Sequence, residues 1–392
     1  MVASSLDVLI VGTGMMGNLV GPQVRRVGGN VVGVVSRDAE RGTAFLDGIN
    51  EAAPVWTDYE TALDESGASV VAVLTPNQYH AEQGILAAQR GKHVFMEKPL
   101  ATTVADAEAF FSAVTRAGVA AEINSQYRYH ETLDGALSGI IVSGELGNPT
   151  FIDTAYLQDW QMDPSAAIGW RPIVEIAGKG KLVGDLGAHC LQTMLHLFGG
   201  DITDFSGKMF NVFPVRYSLT EAGTFPDGTV PSYAERPDLY TQMDMLSAQY
   251  SGDDMATAQG MLRIAAGYDV PFRVALSQVD AGHKNDFTLD VTFERGKVRW
   301  SQEHPNQLYI ARADGQVTIY ERGSAPGIVG TPPGHPQGYG DAIALELLRM
   351  HDVIGEGGDA IRAYTQRNIG DAVKVMKVLD AWTSGPLVCV GR

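Results

Sequence analysis

Short runs of apolar residues alternate with longer amphipathic segments along the first 120 residues of the chain. The runs predict buried strands, and the segments between them predict helices. The predicted strands cover residues 6–11, 30–36, 69–74, 93–96 and 119–123. The predicted helices cover residues 15–27, 39–49, 81–90 and 104–117. Continuous apolar strands that alternate with helices form parallel sheets covered on both faces, so we expect a doubly wound α/β domain.

The pattern changes after residue 123. The predicted helices here cover residues 126–143, 182–198, 339–354 and 364–383. The predicted strands cover residues 150–157, 203–213, 258–266, 270–279, 287–293, 297–300, 307–312 and 316–320. Successive strands joined by turns pair mostly antiparallel, so residues 124–392 are expected to form an α+β domain that follows a first domain of residues 1–123. Residues 214–245 and 322–338 show few elements, and they are either binding loops or plain surface connections.

Composition narrows the possible partners of this 392-residue chain. Its formal net charge of −17 argues against nucleic acid and anionic membranes as partners, because both attract basic surfaces. No run of about 18 apolar residues exists that could span a membrane. The two cysteines, Cys190 and Cys389, form no C-x-x-C pair, so a zinc site or a disulfide framework is not expected. We expect reduced thiols in a cytoplasmic protein.

A glycine-rich segment directly follows the first predicted strand and opens a helix. It reads Gly12-Thr13-Gly14-Met15-Met16-Gly17. In a G-x-G-x-x-G segment the first glycine permits a tight turn, the second lets the backbone approach a pyrophosphate, and the third packs helix on strand. The helix N-terminus offers free N–H groups to the phosphates. The position favours a dinucleotide site in a Rossmann domain over a glycine-rich turn without a ligand.

The end of the second predicted strand bears on the choice of cofactor. An acidic residue about 20 positions after the fingerprint typically binds the adenosine ribose of NAD. Ser36 and Arg37 stand there instead, and a hydroxyl beside a guanidinium suits a 2′-phosphate. We therefore favour NADP over NAD, although Asp38 can bind the ribose diol if the turn is one residue longer.

Two further motifs follow strands. Thr75-Pro76-Asn77, with His80 nearby, stands where ligands bind in open α/β sheets, and it is expected to contact the nicotinamide ribose. His80 is equally well explained as a solvent-facing residue. Glu97-Lys98-Pro99 follows the next strand, and Lys98 can hydrogen-bond a substrate hydroxyl and stabilise developing negative charge there. A surface ion pair is the plainer alternative.

Together the G-x-G-x-x-G, T-P-N-x-x-H and E-K-P segments resemble the glucose–fructose oxidoreductase, inositol dehydrogenase and MocA family over essentially the whole chain. The resemblance implies a Rossmann domain followed by a domain whose open sheet helps to form the substrate site. It also implies a homodimer or homotetramer assembled through that sheet. The family's further motif, a glycine-rich turn leading into D-x-G-x-H, is matched by residues 178–189.

Asp185 and His189 in this motif are four residues apart, so both side chains are expected on one helical face. A histidine is suited to proton transfer near neutral pH, and a carboxylate beside it can hold its tautomer. The resemblance implies that His189 takes the substrate hydroxyl proton, that Lys98 hydrogen-bonds that oxygen and that Asp185 orients the site. An N-cap and a buried core histidine are the alternatives. A metal held by Asp185, His189 and His196 is rejected because the histidines are widely spaced.

Several aromatic and hydrogen-bonding residues suit a polyhydroxylated ring. The expected substrate residues are Tyr127, Arg128, Tyr156, Gln158, Asp159, Trp160, Trp170 and Arg171. A similar Y-L-Q-D-W segment followed by W-R occurs in family members that resemble levoglucosan and glycoside dehydrogenases; core packing of the aromatics is the alternative. Gln192, Lys179 and Lys181 depart from the family pattern and leave the substrate open.

The resulting expectation is an NAD(P)-dependent oxidoreductase that moves hydride between nicotinamide and a secondary alcohol of a sugar, cyclitol or glycoside. Two alternatives stay open at this stage. One is a redox-neutral glycosidase of the same family that uses NAD transiently. The other is a non-catalytic dinucleotide sensor, against which the presence of Lys98, Asp185 and His189 counts.

Overall fold

Two sheets organise the chain in a computed structural model that describes residues 6–166, 168–219, 237–323, 335 and 337–390. The first sheet has six parallel strands in the order β3-β2-β1-β4-β5-β6. Its strands are β1 (Asp7–Val11), β2 (Asn30–Val35), β3 (Val55–Trp56), β4 (Val70–Val73), β5 (His93–Glu97) and β6 (Ala121–Asn124). Its helices are α1 (Met15–Arg26), α2 (Ala39–Gly48), α3 (Tyr59–Glu65), α4 (His80–Gln89) and α5 (Val104–Ala117). This strand order is that of a Rossmann fold, which places a crevice where the order reverses, between β1 and β4.

The second sheet has nine strands in the order β16-β15-β14-β13-β7-β12-β11-β8-β17. The strands are β7 (Pro149–Leu157), β8 (Asp201–Asn211), β11 (Met255–Arg263), β12 (Asp269–Ser277), β13 (Asp286–Phe293), β14 (Gly296–Ser301), β15 (Gln307–Arg312), β16 (Val317–Glu321) and β17 (Leu387–Cys389). Two neighbouring pairs, β7 with β12 and β8 with β17, are parallel, and the other pairs are antiparallel. A separate antiparallel ribbon joins β9 (Val215–Leu219) to β10 (Tyr240–Asp244).

Five further helices follow strand β6 in the chain. They are α6 (Ser138–Ser143), α7 (Val174–Ala177), α8 (Ala188–Phe198), α9 (Tyr339–Glu356) and α10 (Gly358–Thr383). Ile343 and Leu347 of α9 share a buried apolar cluster with Ile10 of β1 and Val20 of α1, so the closing helices pack onto the Rossmann sheet. In the part of the chain that the structure describes, no helix is long and apolar enough to cross a membrane.

The α/β class, the parallel Rossmann sheet and the mostly antiparallel second sheet confirm the sequence prediction. Strand β3 and helix α3 were not predicted, since a two-residue strand carries no periodic pattern. The continuous helix predicted over 126–143 is instead a 3₁₀ turn, a π-helical turn and α6. Likewise, a π-helical turn over Val183–Gly187 interrupts the predicted helix 182–198. Residues 220–236 and most of 322–338 lie outside the described residues, so their suggested role as lids is untested.

Candidate functional site

The fingerprint turn has the geometry of a phosphate cradle. Gly12 has φ +108°, and a Cβ there would lie 2.6 Å from the Leu74 carbonyl oxygen. A Cβ on Gly17 would lie 2.5 Å from the Gly12 carbonyl oxygen, so only glycine lets α1 pack this closely. A Cβ on Gly14 would meet nothing within 4 Å. The open space over Gly14, at a helix N-terminus with no acidic residue in its first turn, fits a pyrophosphate.

One cavity of about 1360 Å³ extends from this turn to the D-x-G-x-H segment. It is lined by most of the residues predicted from the sequence, so the fold gathers motifs that lie as far apart in the chain as Gly12 and His189. The predicted residues in its lining are Gly12, Thr13, Gly14, Met15, Met16, Ser36, Arg37, Thr75, Pro76, Asn77, His80, Glu97, Lys98, Tyr127, Tyr156, Gln158, Trp160, Trp170, Arg171, Asp185 and His189. Gly17 lies beneath the turn, as its packing role requires.

The adenosine end of the cavity carries two guanidinium groups, those of Arg37 and Arg41. Both residues are exposed, and within the described residues neither forms a salt bridge. Asp38 caps α2 by accepting hydrogen bonds from the backbone N–H groups of Glu40 and Arg41. Both bonds end on Asp38 Oδ1, so among the described contacts the second carboxylate oxygen of this cavity-lining residue stays open to a ligand. Arg41 was not predicted, because it lies inside a helix and beyond the position, about 20 residues after the fingerprint, at which a ribose-binding residue is expected.

Hydrogen bonds connect the T-P-N-x-x-H segment to neighbouring loops. Asn77 Nδ2 donates to the Ala177 carbonyl at 2.9 Å, which links the Rossmann domain to the loop before the D-x-G-x-H segment. His80 is fully buried, and its ring nitrogens contact the carbonyl oxygens of Pro99 at 2.8 Å and Thr75 at 2.7 Å. The solvent-facing alternative for His80 is therefore wrong. His80 holds two strand ends together beside the cavity.

Lys98 and Asp185 form the ionic centre of the cavity. Lys98 Nζ donates to Asp185 Oδ1 at 2.5 Å and to the Asp185 carbonyl oxygen at 3.0 Å. Gln278 Nε2 donates to Asp185 Oδ2 at 3.1 Å, and Arg171 Nε lies 3.8 Å from the same oxygen. Burial alone would raise the pKa of Asp185, but the Lys98 ammonium, its hydrogen bond and the Arg171 guanidinium together outweigh burial and hold that pKa at about 2. Asp185 is thus a permanent carboxylate that anchors Lys98, which follows β5 and precedes a cis bond to Pro99.

His189 lies in the first turn of α8 and is only 3% exposed. Burial, reinforced by the Lys98 ammonium, holds the pKa of His189 well below its usual value, so the imidazole is neutral near pH 7. Its Nδ1 lies 3.4 Å from Ser125 Oγ, and in the described part of the chain no hydrogen bond joins it to Asp185. The expectation that a carboxylate orients the histidine is therefore wrong: the Asp185 oxygens are occupied by Lys98 and Gln278.

Glu97 connects the ionic centre to the end of β6. Asn124 Nδ2 donates to Glu97 Oε1, and the Lys98 backbone N–H donates to Glu97 Oε2 at 3.1 Å. Burial raises the pKa of Glu97 to about 7 against the opposing effect of Lys98. Near neutral pH this carboxyl is therefore about half protonated.

The wall opposite the Rossmann domain is polar and aromatic. Tyr127, Tyr156 and Gln158, all predicted, are joined by hydrogen bonds to Asn285, which was not. Asn285 precedes β13 in a turn, and no motif or periodicity distinguishes it in the sequence. The Tyr127 ring also packs edge-on against the His189 ring, with centroids 4.9 Å apart.

Two predicted substrate residues are not brought to the cavity. Arg128 is 2% exposed and points away, into a cluster with the carboxylates of Glu122 and Glu346. Asp159 pairs with Lys284 at 2.7 Å outside the cavity lining. In both cases a neighbouring residue in the chain lines the cavity instead: Tyr127 beside Arg128, and Gln158 and Trp160 beside Asp159.

Two of the residues that depart from the family pattern, Lys181 and Gln192, are buried. Lys181 is buried, with Nζ 2.5 Å from Gln161 Oε1 and 3.2 Å from Asp254 Oδ1. Gln192 is buried within α8. Across the residues that the structure describes, no group of three or more His, Cys, Asp or Glu side chains is placed to hold a metal ion.

Comparison with known families matches both halves of the chain. Residues 6–125 match the oxidoreductase family with a NAD-binding Rossmann fold, named GFO_IDH_MocA. Residues 136–299 match the GFO/IDH/MocA C-terminal domain.

Curated relatives are dehydrogenases and reductases of sugars and cyclitols. The levoglucosan dehydrogenase of Pseudarthrobacter phenanthrenivorans is 28% identical over 353 residues, which cover 85% of this chain and 84% of that protein. The 1,5-anhydro-D-fructose reductase of Ensifer adhaerens is 32% identical over 45% of this chain and 52% of its own length. The inositol 2-dehydrogenase of Salmonella typhimurium is 34% identical over 36% of this chain and 43% of its own length.

Solved structures share the fold. A levoglucosan dehydrogenase in complex with NADH superposes with a TM-score of 0.82 at 24% identity, covering 97% of this chain and 96% of that one. An inositol dehydrogenase homologue from Azotobacter vinelandii, in complex with NADH and myo-inositol, gives a TM-score of 0.73 at 22% identity, covering 97% and 95%.

Proposed function

The chain belongs to the GFO/IDH/MocA family of NAD-binding oxidoreductases, and from that premise we propose that it oxidises a secondary alcohol of a sugar, cyclitol or glycoside, or reduces the corresponding ketone. One observation carries the proposal. A buried neutral histidine and an anchored lysine share a cavity with an open phosphate cradle. The substrates of the curated relatives support the substrate class.

Two features of the chain would hold the cofactor: the cradle over Gly14 and the crevice beside β4. Gly12, Gly14 and the first turn of α1 would hold the pyrophosphate, and Thr75 and Pro76 line the cavity between that turn and Lys98. When bound, a nicotinamide cofactor supplies the hydride acceptor or donor for the reaction.

His189 is proposed as the group that accepts the hydroxyl proton during oxidation and returns it during reduction. Its low pKa keeps the imidazole free to accept at neutral pH. Lys98 is proposed to hydrogen-bond the same substrate oxygen and to stabilise the negative charge that develops as the proton leaves. Asp185 is proposed to position Lys98 through two hydrogen bonds, one to its carboxylate and one to its backbone carbonyl oxygen.

We further propose a preference for NADP over NAD. The support is electrostatic: Arg37 and Arg41 both line the adenosine end of the cavity and have no carboxylate partner among the described residues. A 2′-phosphate would pair with them. The NADH complexes of the structural neighbours are the reason to test both cofactors.

The test mixes purified protein with NAD or NADP and a panel of pyranosides, anhydro sugars and cyclitols, and it follows absorbance of the reduced cofactor. The proposal expects net reduction with at least one carbohydrate and a lower KM for NADP than for NAD. Cofactor binding without net reduction by any carbohydrate would contradict it. Product analysis of glycosides in that case separates a redox-neutral glycosidase from a sensor.

We also propose three further properties of this protein. We propose a domain division near residues 123 and 124, a cytoplasmic location, and a homodimer or homotetramer. The free cysteines Cys190 and Cys389 are consistent with a reducing compartment. Exposed apolar side chains on β16, such as Val317 and Ile319, support assembly through the open sheet. Sedimentation analysis that finds only monomer would contradict the assembly.

A further inference from the structure

Four ionisable side chains form a buried cluster beside the substrate half of the cavity, which we name the anchor cluster. Its members are Lys181, Arg216, Asp253 and Asp254, and each residue is at most 3% exposed. Two are cations and two are carboxylates, so their formal charges cancel. The proposed reaction assigns a role to none of them. Buried ions of this kind add little net stability, because desolvation offsets their attraction.

One side of the anchor cluster is the helical run that leads into α8 and begins at Lys181. Asp253 holds this start, because its Oδ2 accepts from the backbone N–H groups of the two residues after Lys181, at 3.0 and 3.1 Å. Asp185 and His189 follow Lys181 at intervals of four, the spacing of one helical face, and all three residues line the cavity. Lys181 therefore belongs to the same element as the proposed proton acceptor.

The other side of the anchor cluster is the loop after β7, which brings Gln158 and Trp160 to the cavity lining. Lys181 Nζ donates to Gln161 Oε1 at 2.5 Å, one residue beyond Trp160. Arg216 Nη1 donates to the Gln161 carbonyl oxygen at 2.9 Å. Two buried cations thus hold the side chain and the main chain of the loop at the same residue.

Asp254 joins the two cations to each other. Its Oδ1 accepts from Lys181 Nζ at 3.2 Å and from Arg216 Nη2 at 3.1 Å. Its Oδ2 accepts from the backbone N–H groups of Val212 and Phe213, both at 2.9 Å. A shift of the loop against the helical run would leave a buried charge or donor without its partner, which costs free energy. The anchor cluster therefore fixes one relative position of the two segments.

We propose that Lys181 is a positioning residue, which holds the carbohydrate-binding loop after β7 in place against the helical face of Asp185 and His189. The inference rests on the proposed function, because it concerns the substrate half of the same cavity. Lys181 departs from the family pattern at its position, so the link is a property of this chain. Loss of the link lets the loop take other positions, which weakens carbohydrate binding and leaves the cofactor half of the cavity unchanged.

Two shape-matched variants open the link from either end. Gln161→Met removes the acceptor of Lys181 and leaves the four charges in place; Gln161 Nε2 has no hydrogen-bond partner among the described residues, so one side-chain bond is lost. Lys181→Met removes the donor, and Asp254 keeps Arg216 and two backbone donors. The matched control is Thr365→Val, which removes both hydrogen bonds of a buried hydroxyl outside the cavity lining.

Hydrogen exchange of the protein without ligand measures the loop directly. Both variants are expected to exchange the backbone N–H groups of residues 158–163 faster than the wild type does, while Thr365→Val leaves exchange in this segment unchanged. Gln161→Met alone answers the question if Lys181→Met does not fold, because it keeps every charge of the anchor cluster. Unchanged exchange in residues 158–163 of Gln161→Met would overturn the inference.

Calorimetry on the complex with reduced cofactor measures the consequence for carbohydrate binding. The probes are levoglucosan and myo-inositol, the carbohydrates bound in two of the structural neighbours, and the tighter of the two for the wild type is used throughout. Each single variant is expected to bind it about tenfold more weakly, the effect of about one lost hydrogen bond, with unchanged cofactor affinity. Thr365→Val is expected to bind the probe as the wild type does.

The double variant Gln161→Met with Lys181→Met separates positioning through this link from two independent structural effects. Positioning predicts that it binds the probe within a few-fold of the weaker single variant, whereas independent effects would multiply to about a hundredfold loss. Multiplied losses, wild-type affinity in both single variants, or a wild type that binds neither probe would each count against the inference. Failure of the proposed function differs: binding and exchange would follow the prediction, but no carbohydrate would reduce oxidised cofactor.

Discussion

Two ionic clusters lie at the carboxyl ends of neighbouring strands β5 and β6, and they differ in how completely their charges are satisfied. In the open cluster, Lys98 and Asp185 face the cavity with side chains 16% and 21% exposed. In the closed cluster, Arg128 lies between Glu122 and Glu346, with all three side chains at most 2% exposed. The open cluster keeps N–H groups free for a ligand, whereas the closed cluster uses its charges to join β6 to α9.

Further contacts reinforce the difference. Glu122 also accepts from Tyr129, Tyr364 and Asn368, and Arg128 donates to the Ile123 carbonyl at 2.8 Å. A buried charge with this many partners is structural, and removing one partner leaves the others uncompensated. A cation that lines a cavity and has few partners is available for chemistry. The comparison teaches that accessibility separates catalytic charges from structural ones when sequence position does not.

The largest expected effect comes from breaking the open cluster. Lys98→Met is expected to lower kcat/KM by about 10²–10⁴-fold, because the substrate oxygen loses its charged donor. The free energy of unfolding should fall by about 1–3 kcal/mol, because the mostly buried Asp185 carboxylate loses its cation but keeps Gln278 and Arg171 beside it. Steady-state kinetics and denaturant unfolding check the two parts. Lys284→Met, which breaks the exposed pair with Asp159, is the control and should leave both nearly unchanged.

Breaking the closed cluster should instead lower the stability of the protein more than its catalytic rate. Arg128→Met is expected to destabilise the protein by about 3–5 kcal/mol, because the buried side chains of Glu122 and Glu346 lose the cation that lies between them. Denaturant unfolding measures the change. The double variant Arg128→Met with Glu122→Gln should recover part of the loss. A stable Arg128→Met protein that has lost substrate affinity would instead restore Arg128 to the list of substrate residues.

Glu97 lies between the clusters, and its raised pKa gives the stability a pH dependence. In the unfolded chain Glu97 ionises near its usual pKa of 4.5, whereas the folded protein holds the proton up to about pH 7. The folded state therefore binds more protons in this window, and its contribution to stability falls as pH rises from about 4.5 to 7. Glu97→Gln should remove about 2–3 kcal/mol of that pH dependence. Denaturant unfolding at pH 5 and pH 8 measures the free energy of unfolding of the wild type and of Glu97→Gln. An equal change between the two pH values in both proteins would contradict the prediction.

The smallest expected effect concerns two cations outside both clusters. Replacing Arg37 and Arg41 together by alanine should raise the KM for NADP about tenfold or more and leave the KM for NAD within a few-fold, because only the 2′-phosphate loses its partners. Initial-rate kinetics with both cofactors check this. An equal rise for both cofactors would contradict a 2′-phosphate site.

How far the sequence predicts this molecule differs between its halves. The cofactor half is encoded in contiguous segments, because a single turn between β1 and α1 must satisfy steric limits that only glycine meets. Lys98 was predictable for a related reason: the carboxyl end of a parallel strand faces the ligand crevice.

The substrate half is assembled from segments far apart in the chain. Asn285 carries no local signal, since its partners Tyr127 and Tyr156 lie more than a hundred positions away. Arg128 was a candidate because it follows the last Rossmann strand, with a structural role as the alternative, and only the fold shows that Glu122 and Glu346 already surround it. The partner of His189 is Ser125, which the spacing of Asp185 and His189 does not reveal.

The central claim is that His189 exchanges the substrate proton while hydride moves to or from the cofactor. The most direct measurement is the single-turnover rate of cofactor reduction, with a carbohydrate substrate, for the wild type, His189→Asn and His196→Asn. His196 lies on the same helix, pairs with Asp134 and is outside the cavity lining, so it is a matched control. The account predicts a loss of about 10²–10⁴-fold for His189→Asn, with unchanged cofactor affinity, and a change of at most a few-fold for His196→Asn. A His189→Asn protein that reduces the cofactor at the wild-type rate would contradict it.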